Sequence, residues 1–454
     1  MEITTLNPVE SFMDIPTARL LLPAITVDSS YWKPGRFKKE RIEYEKKMII
    51  SKKKTGVLFY TGLIPRIQEY AQEQGYSLVV SSVPERIETK DPSLPGITFR
   101  KDQVHLIDQA VKYGNGVLNS PTGSGKTILL MGILSCYNPR KFPVLILAHT
   151  SGIVNQTAEE LRKFGFTNVS QIGGGITNSP IADINIGTIQ SVTGRRSEFN
   201  HIKILLVDEV HRVVPNSQYE RLLSQIKATI RIGLTATPPT DAEKIMLLEG
   251  LIGPIIGEVS VKEASELEII AIPKIKIIKL PVNHKFKGKK YQEVISHLIT
   301  CNAERNSRII DEIESECKKE GCSLTFVEEL EHQRVLQQMA EERGLDLFIV
   351  NGSIPDKERE EIKEYMEAGK INAVVATRAW REGINIKSIT KLILGAEALS
   401  VTPVIQTIGR GLRRGNGKSS VVVVDFFDSS NYHLVNHFGE RITLYMDLGW
   451  EFTS

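Results

Sequence analysis

Asn119-Ser-Pro-Thr-Gly-Ser-Gly-Lys126-Thr127 is the stretch on which the reading of this chain turns. It follows the apolar run Val117 to Asn119 and precedes residues with helical spacing. In that setting a glycine-bearing loop can turn its backbone N–H groups toward phosphate oxygens, and the following helix start adds partial positive charge. Gly123 and Gly125 permit the turn, Pro121, Thr122 and Ser124 complete it, Lys126 reaches the outer phosphates and Thr127 offers a hydroxyl to Mg2+. Ser120 is the one departure, standing where the strict pattern has a glycine. The expected ligands are ATP and Mg2+.

Outward from this loop, apolar runs at Val117–Asn119, Val144–His149, Ile184–Gly187, Ile204–Asp208 and Ile230–Thr235 alternate with helical patterns. A second series follows at Ile275–Leu280, Leu324–Val327, Leu347–Val350, Ala373–Thr377, Leu392–Gly395 and Val421–Phe426. Such runs predict an α/β fold with buried parallel strands and crossover helices, built twice. Ahead of them, a strand at Val57–Tyr60, a helix over Leu63–Gln74 and an extended Tyr76–Val80 predict a small α+β unit. Pro84, Pro92 and Pro95 mark a linker, and the irregular stretch Glu266–Pro273 marks the joint between the two series. The expected domains are residues 1–95, 96–272 and 273–454.

Two adjacent carboxylates, Asp208 and Glu209, end the run Ile204-Leu-Leu-Val, and His211 closes the stretch. An Asp there suits a Mg2+ ligand, and a Glu suits the group that positions or deprotonates an attacking water. The second series must then supply positive charge to the transferring phosphate. Gln406-Thr-Ile-Gly-Arg410-Gly-Leu-Arg413-Arg414 holds arginines at i,i+3 helical spacing, so Arg410 and Arg413 can face one cleft. The lesser alternative is a basic helix end that grips a nucleic-acid backbone or nothing.

Together these stretches resemble a superfamily 2 helicase of the DExH group, with Asp208-Glu-Val-His211 as the naming motif. The resemblance implies two tandem RecA-like parallel-sheet domains with a cleft between them, plus the small N-terminal domain. It places Lys126, Asp208, Glu209, His211, Gln406, Arg410 and Arg413 among the groups acting on ATP. Phe99 to Gln103 resembles the adenine-recognition motif, implying nucleotide contacts for Arg100 and Gln103, although Lys101 and Asp102 replace the usual Pro and aromatic. Glu382-Gly383-Ile384-Asn385 resembles the fifth motif and implies nucleotide contacts for Gly383 and Asn385, with Asn385 standing where Asp is common. Ala148-His149-Thr150-Ser151, Gly187-Thr188-Ile189-Gln190, Asn351-Gly352-Ser353 and Thr377 resemble strand-tracking segments. They imply phosphate contacts by His149, Thr150, Thr188, Gln190, Asn351, Gly352 and Thr377, a contact type that positions without reading sequence. Thr235-Ala-Thr237 resembles the motif that links hydrolysis to strand movement. Gly233-Leu-Thr-Ala-Thr-Pro-Pro239 and Val424-Asp-Phe-Phe-Asp428 are similar to UvsW-type phage helicases, which implies 3' to 5' movement on forked or branched DNA.

The bulk composition agrees with such a chain. At 454 residues it has room for two full domains and a smaller third. No apolar run approaches the ~18 residues of a membrane span, and Met1 to Leu22 lack a secretory pattern, so a cytoplasmic monomer without membrane contact is expected, in the host cell if phage-encoded. Cys136, Cys301, Cys317 and Cys322 are too few for a disulfide framework and lack zinc-site spacing. The net charge is +3, yet Lys33 to Lys54 hold ten Lys or Arg against three Glu, which leaves −4 elsewhere. That cluster suits phosphate contact or a solvated helix face. DNA is the expected partner; an RNA helicase, a double-strand translocase and a binding scaffold with a vestigial ATP site are the alternatives.

Overall fold

The computed structural model describes residues 1–34, 39–81, 87–173, 179–267, 269, 271–283, 290–377, 380, 386–396 and 420–453. The chain forms two compact units. The first holds Met1–Ser120 and Gly125–Val259, the second Ser260–Ser454 together with the loop residues Pro121–Ser124.

At the centre of the first unit is a sheet of seven parallel strands, β8 (Asn115–Asn119), β9 (Val144–Ala148), β10 (Val169–Ile172), β11 (Ile184–Thr188), β12 (Ile204–Val207), β13 (Ile230–Thr235) and β14 (Ile255–Glu258), in the order β10-β11-β9-β12-β13-β8-β14. Strands β9, β11, β12 and β13 are buried along their whole length. Helices cover both faces of such a sheet, which is why these strands read as unbroken apolar runs. The second unit repeats the arrangement with β15 (Ile272–Lys279), β16 (Cys322–Phe326), β17 (Phe348–Val350), β18 (Ala373–Ala376), β19 (Ile389–Leu394), β20 (Ser420–Phe427) and β21 (Glu451–Thr453), in the order β17-β18-β16-β19-β20-β15-β21. These are the two expected RecA-like sheets. The short edge strands β10, β14 and β21 escaped the sequence reading.

Missing β14 also displaced the expected joint. The chain leaves the first sheet at Glu258 and opens a new helix at once, with the Ser260 hydroxyl accepting the Glu263 N–H at 3.0 Å. The units therefore divide between Val259 and Ser260, ahead of Glu266–Pro273.

Residues 1–81 form more β-structure than expected. Strands β1 (Glu2–Thr5), β2 (Glu10–Asp14), β5 (Ile49–Lys52), β6 (Gly56–Tyr60) and β7 (Val79–Ser81) make a mixed sheet in the order β5-β6-β2-β1-β7. Among the described residues, strands β3 (Thr26–Pro34) and β4 (Lys39–Lys47) pair only with each other, as an antiparallel ribbon. The basic run Lys33–Lys54 thus lies largely on strands, and the helix-face reading of it is corrected. Within it, Arg41-Ile-Glu-Tyr-Glu45 alternates charged with apolar or aromatic residues at a period of two, which suits a strand with one face in water.

This N-terminal region belongs to the first unit, with which it shares one core: Phe59, Leu63 and Ile67 cluster with Met246, Leu247 and Leu251 of the helix Ala242–Leu251. The seam is tight, because a Cβ on Gly62 would meet the Glu249 carbonyl oxygen at 2.1 Å. Arg66 adds a two-point ion pair to the Glu249 carboxylate at 2.7 and 2.9 Å. A boundary at residue 95 therefore marks a change of sheet within one packed body.

Arg231 of β13 is fully buried and donates to the carbonyls of Leu223, Ile226 and Leu251 at 2.8, 2.5 and 2.6 Å. It joins the ends of the helices Gln218–Leu223 and Ala242–Leu251 to the sheet, where their carbonyl-end dipoles favour a cation. Arg231→Met leaves three buried acceptors unsatisfied and is expected to destabilise the chain by about 3 kcal/mol or more, read by urea unfolding. An unchanged midpoint and slope would show the latch to be dispensable.

Candidate active site

The loop after β8 is shaped by two glycines in the left-handed region, Gly123 at φ +89° and Gly125 at φ +90°. Ser120 is buried, and its N–H donates to the Thr235 carbonyl at 2.9 Å. A small residue fits there, which accounts for serine in place of glycine. Ser124 Oγ donates back to the Pro121 carbonyl at 2.7 Å and closes the turn. The helix Lys126–Ser135 begins directly behind it, with Thr127 in its first turn.

Two features of the loop fit a phosphate chain. Lys126 Nζ makes a long contact to the Ser120 carbonyl, 3.4 Å. Thr122 Oγ1 is buried without a hydrogen-bond partner among the described residues. A bound triphosphate would supply acceptors to both, and the helix start would face its charge.

Gln103 approaches the loop from the helix Lys101–Tyr113. Its Oε1 accepts the Arg100 N–H at 3.2 Å, and its Nε2 lies 3.1 Å from where a Cβ on Gly125 would stand. Arg100 is held by Asp102 through contacts of 3.0 and 2.9 Å. Lys101 and Asp102, the departures from the expected motif, thus build a helix start and an arginine clamp in place of an aromatic platform.

Asp208 and Glu209 follow β12 at its carboxyl end. Asp208 N–H donates to the Leu147 carbonyl at 2.9 Å, and Asp208 Oδ1 accepts the Glu209 N–H at 3.0 Å. Glu209 takes φ +50°, a left-handed conformation costing a side-chain-bearing residue about 1–2 kcal/mol. Burial and the neighbouring Glu209 charge push the Asp208 carboxyl well above its ordinary value, against the pull of Lys126. Burial opposes ionisation of Glu209 too, but the His211 contact and the charges of Lys126, His211 and Arg212 outweigh it and hold Glu209 low. The arrangement keeps one carboxylate charged and leaves the other in need of a cation.

His211 Nδ1 lies 3.3 Å from Glu209 Oε2 and 3.0 Å from Thr235 Oγ1. Thr235 Oγ1 also accepts the Thr237 N–H at 3.1 Å. Lys126, Asp208, Glu209, His211, Arg100 and Gln103 are therefore brought to one end of one sheet. Thr235 joins them; in the sequence it stood out only through the resemblance of Thr235-Ala-Thr237 to a coupling motif.

The polar residues expected along a nucleic acid all stand at carboxyl ends of strands, and several have local work. Thr150 and Thr188 cap the helices Ser151–Lys163 and Ile189–Gly194, each accepting an N–H at 3.3 Å. His149 follows β9, and Gln190 is exposed one turn beyond β11. Asn351 Oδ1 accepts the Ser353 N–H at 3.0 Å and so shapes the turn through the exposed Gly352. Thr377 is buried after β18. Gly383, Asn385, Gln406, Arg410 and Arg413 lie outside the described residues. A cleft of about 450 Å3, with Tyr113, Asn115, Arg231 and Ile255 in its wall, lies at the opposite, entering ends of the strands and shares no residue with the loop.

Residues 96–240 match the family described as type III restriction enzyme, res subunit, and residues 304–415 match the helicase conserved C-terminal domain. The chain belongs to the superfamily 2 helicases. The two matches fall on the two parallel sheets. Among curated relatives of this helicase, the ATP-dependent DNA helicase uvsW of Enterobacteria phage T4 is 26% identical over 329 residues, 69% of this chain and 65% of that one. The DNA 3'-5' translocase XPB2 of Sulfurisphaera tokodaii is 24% identical over 374 residues, 74% of this chain and 84% of that one. The chain thus spans just under two thirds of the phage relative's length. Among solved structures, S. cerevisiae Dbp5 bound to RNA and ADP BeF3 shares the fold at TM-score 0.56 and 17% identity, over 78% of this chain and 89% of that one.

Gly125→Ala would force a side chain into a left-handed position against Gln103. It is expected to raise the dissociation constant of a fluorescent ATP analogue by about tenfold, the equivalent of the ~1–2 kcal/mol strain, with the fold retained. Unaltered affinity would show that nucleotide does not depend on this loop shape.

Proposed function

We propose that this helicase is an ATP-driven motor on DNA, which couples hydrolysis to movement along one strand and to unwinding or branch migration of forked or junction DNA. The observation that carries the reading is the gathering of Lys126, Asp208, Glu209, His211 and Thr235 at one end of a RecA-like sheet. Mg2+ bound with ATP supplies the positive charge that lets the β- and γ-phosphate oxygens carry more negative charge as the terminal bond breaks. Lys126 and the loop N–H groups hold the phosphates; Thr127 and Asp208 orient the metal; Glu209 positions the attacking water and receives its proton, with His211 fixing the Glu209 side chain. Gln103 recognises adenine. Gln406, Arg410 and Arg413 from the second unit act on the same phosphate, with Gly383 and Asn385 toward the nucleotide. His149, Thr150, Thr188, Gln190, Asn351, Gly352 and Thr377 track the strand's phosphates.

The 3' to 5' direction is supported by likeness to the DNA 3'-5' translocase of Sulfurisphaera tokodaii, and junction substrates by likeness to UvsW-type helicases. The archaeal relative is named a translocase, which favours a second reading, movement on duplex DNA without strand separation. Strand-displacement and triplex-displacement assays side by side separate the two, and comparing hydrolysis stimulated by DNA with that by RNA separates either from an RNA helicase. No helix among the described residues is long and apolar enough to cross a membrane, and a cytoplasmic monomer is the proposed working state.

Lys126→Ala removes the charge that meets the outer phosphates and is expected to lower DNA-stimulated hydrolysis by at least about a hundredfold. A rate equal to the parent's would overturn the site assignment.

The basic run Lys33–Lys54, which includes β4 and the residues after it, is proposed to touch duplex DNA. Because residues 1–81 share a core with the first unit, their removal would expose apolar surface; neutralising substitutions test the idea more cleanly. The triple variant K33Q/K39Q/R41Q is expected to reduce the slope of log affinity against log salt by about 2 to 3, near 0.9 per lost phosphate contact. A parental slope would reject DNA contact by the ribbon.

A further inference from the structure

The ribbon β3–β4 pairs over nine residues on each side, from Thr26 opposite Lys47 to Pro34 opposite Lys39. At ~3.4 Å per residue it is about 30 Å long. A lone two-stranded ribbon is marginally stable in water, so its attitude depends on what grips its root. Val27 is buried at that root, and Val27, Ser29, Tyr44 and Lys46 share one face through the pairs Val27–Lys46 and Ser29–Tyr44. One carboxylate receives both strands on that face: Ser29 Oγ and Lys46 Nζ each donate to Glu243, the lysine at 2.5 Å. The Glu243 side chain is 12% exposed, so little water competes for it.

Glu243 lies in the first turn of the helix Ala242–Leu251, which follows Thr235-Ala-Thr237 after a short turn. Thr235 Oγ1 meets His211 Nδ1, and the same nitrogen faces Glu209. Further along, Met246, Leu247 and Leu251 lock the helix into the shared core. A continuous physical connection therefore runs from both strands of the ribbon to the carboxylate proposed to position water.

We propose that Glu243 is a positioning residue that fixes the ribbon to the ATPase sheet, so that DNA bound by the ribbon changes the rate of hydrolysis through the helix Ala242–Leu251. The proposal rests on the DNA-motor reading above. Its acidic character matters, because one carboxylate must accept a hydroxyl from β3 and an ammonium from β4 together; an amide keeps the first and loses the charge of the second.

The test uses the full chain with forked DNA and measures hydrolysis without DNA, hydrolysis at saturating DNA, and DNA affinity. E243A and E243Q are expected to keep the DNA-free rate within about twofold, while stimulation by DNA falls about fivefold, a size usual for residues that couple distant sites. The swapped pair K46E/E243K is expected to recover at least half of the stimulation, which a purely destabilising change would not. Full stimulation in E243A and E243Q overturns the proposal, as does a swap that restores thermal stability but not stimulation. Absence of any stimulation in the parent chain overturns the DNA-motor reading itself, a distinct outcome because it appears without substitution.

Discussion

A parallel strand covered on both faces can carry chemistry only at its ends. Along β9, β12 and β13 every side chain is buried, and an unpaired polar group in such a position costs several kcal/mol. The functional side chains are consequently pushed into the first residues after each strand. Because neighbouring strands run the same way, those residues collect on one edge of the sheet: the loop after β8, His149 and Thr150 after β9, Asp208 and Glu209 after β12, and Thr235 at the end of β13. The site follows from sheet direction before any particular side chain is considered.

That crowding then sets the electrostatics. Two carboxylates adjacent in sequence share a low-dielectric edge and repel each other's charge, so their environments must differ if both are to be useful. The left-handed backbone at Glu209 accompanies its contact with His211, which holds that carboxyl low, while burial and the Glu209 charge push Asp208 up against the pull of Lys126. A divalent cation at Asp208 reverses that preference. Strain at one residue thus gives two chemically similar groups different environments, as the base and metal-ligand roles proposed for them require.

Both sheets were legible in the sequence because double-sided burial writes itself as unbroken apolar runs, and the loop was legible because its glycines and lysine have narrow structural alternatives. The edge strands β10, β14 and β21 were not legible: they are short, β10 and β14 are only partly buried, β21 is exposed, and a register shift at Ile255–Gly257 breaks the pattern of β14. Strands β1, β2 and β4 are short or rich in Ser, Thr, Lys and Glu, with few apolar residues to mark a period, a signal that a charge-rich helix imitates over short stretches. Spacing could not reveal that Thr150 and Thr188 cap helices, since a cap and a phosphate contact favour the same hydroxyl at the same place. Nor could it show Thr235 beside His211, which depends on the adjacency of β12 and β13.

The shared core of the N-terminal region and the first parallel sheet bears on how such a motor would sense its track. A DNA-binding module on a flexible tether raises local concentration but transmits no force, since the linker absorbs displacement. Here Gly62 is pressed against the backbone at Glu249, Arg66 grips the Glu249 side chain, and apolar residues of both parts interdigitate. Packed interiors resist continuous deformation, so displacement of one face is passed on or resisted as a whole. The helix Ala242–Leu251 lies at that seam and follows the segment that touches His211. A load applied to the N-terminal sheet therefore has a stiff route to the strand ends where hydrolysis is proposed to occur, and the ribbon works as a lever only to the extent that its root is held.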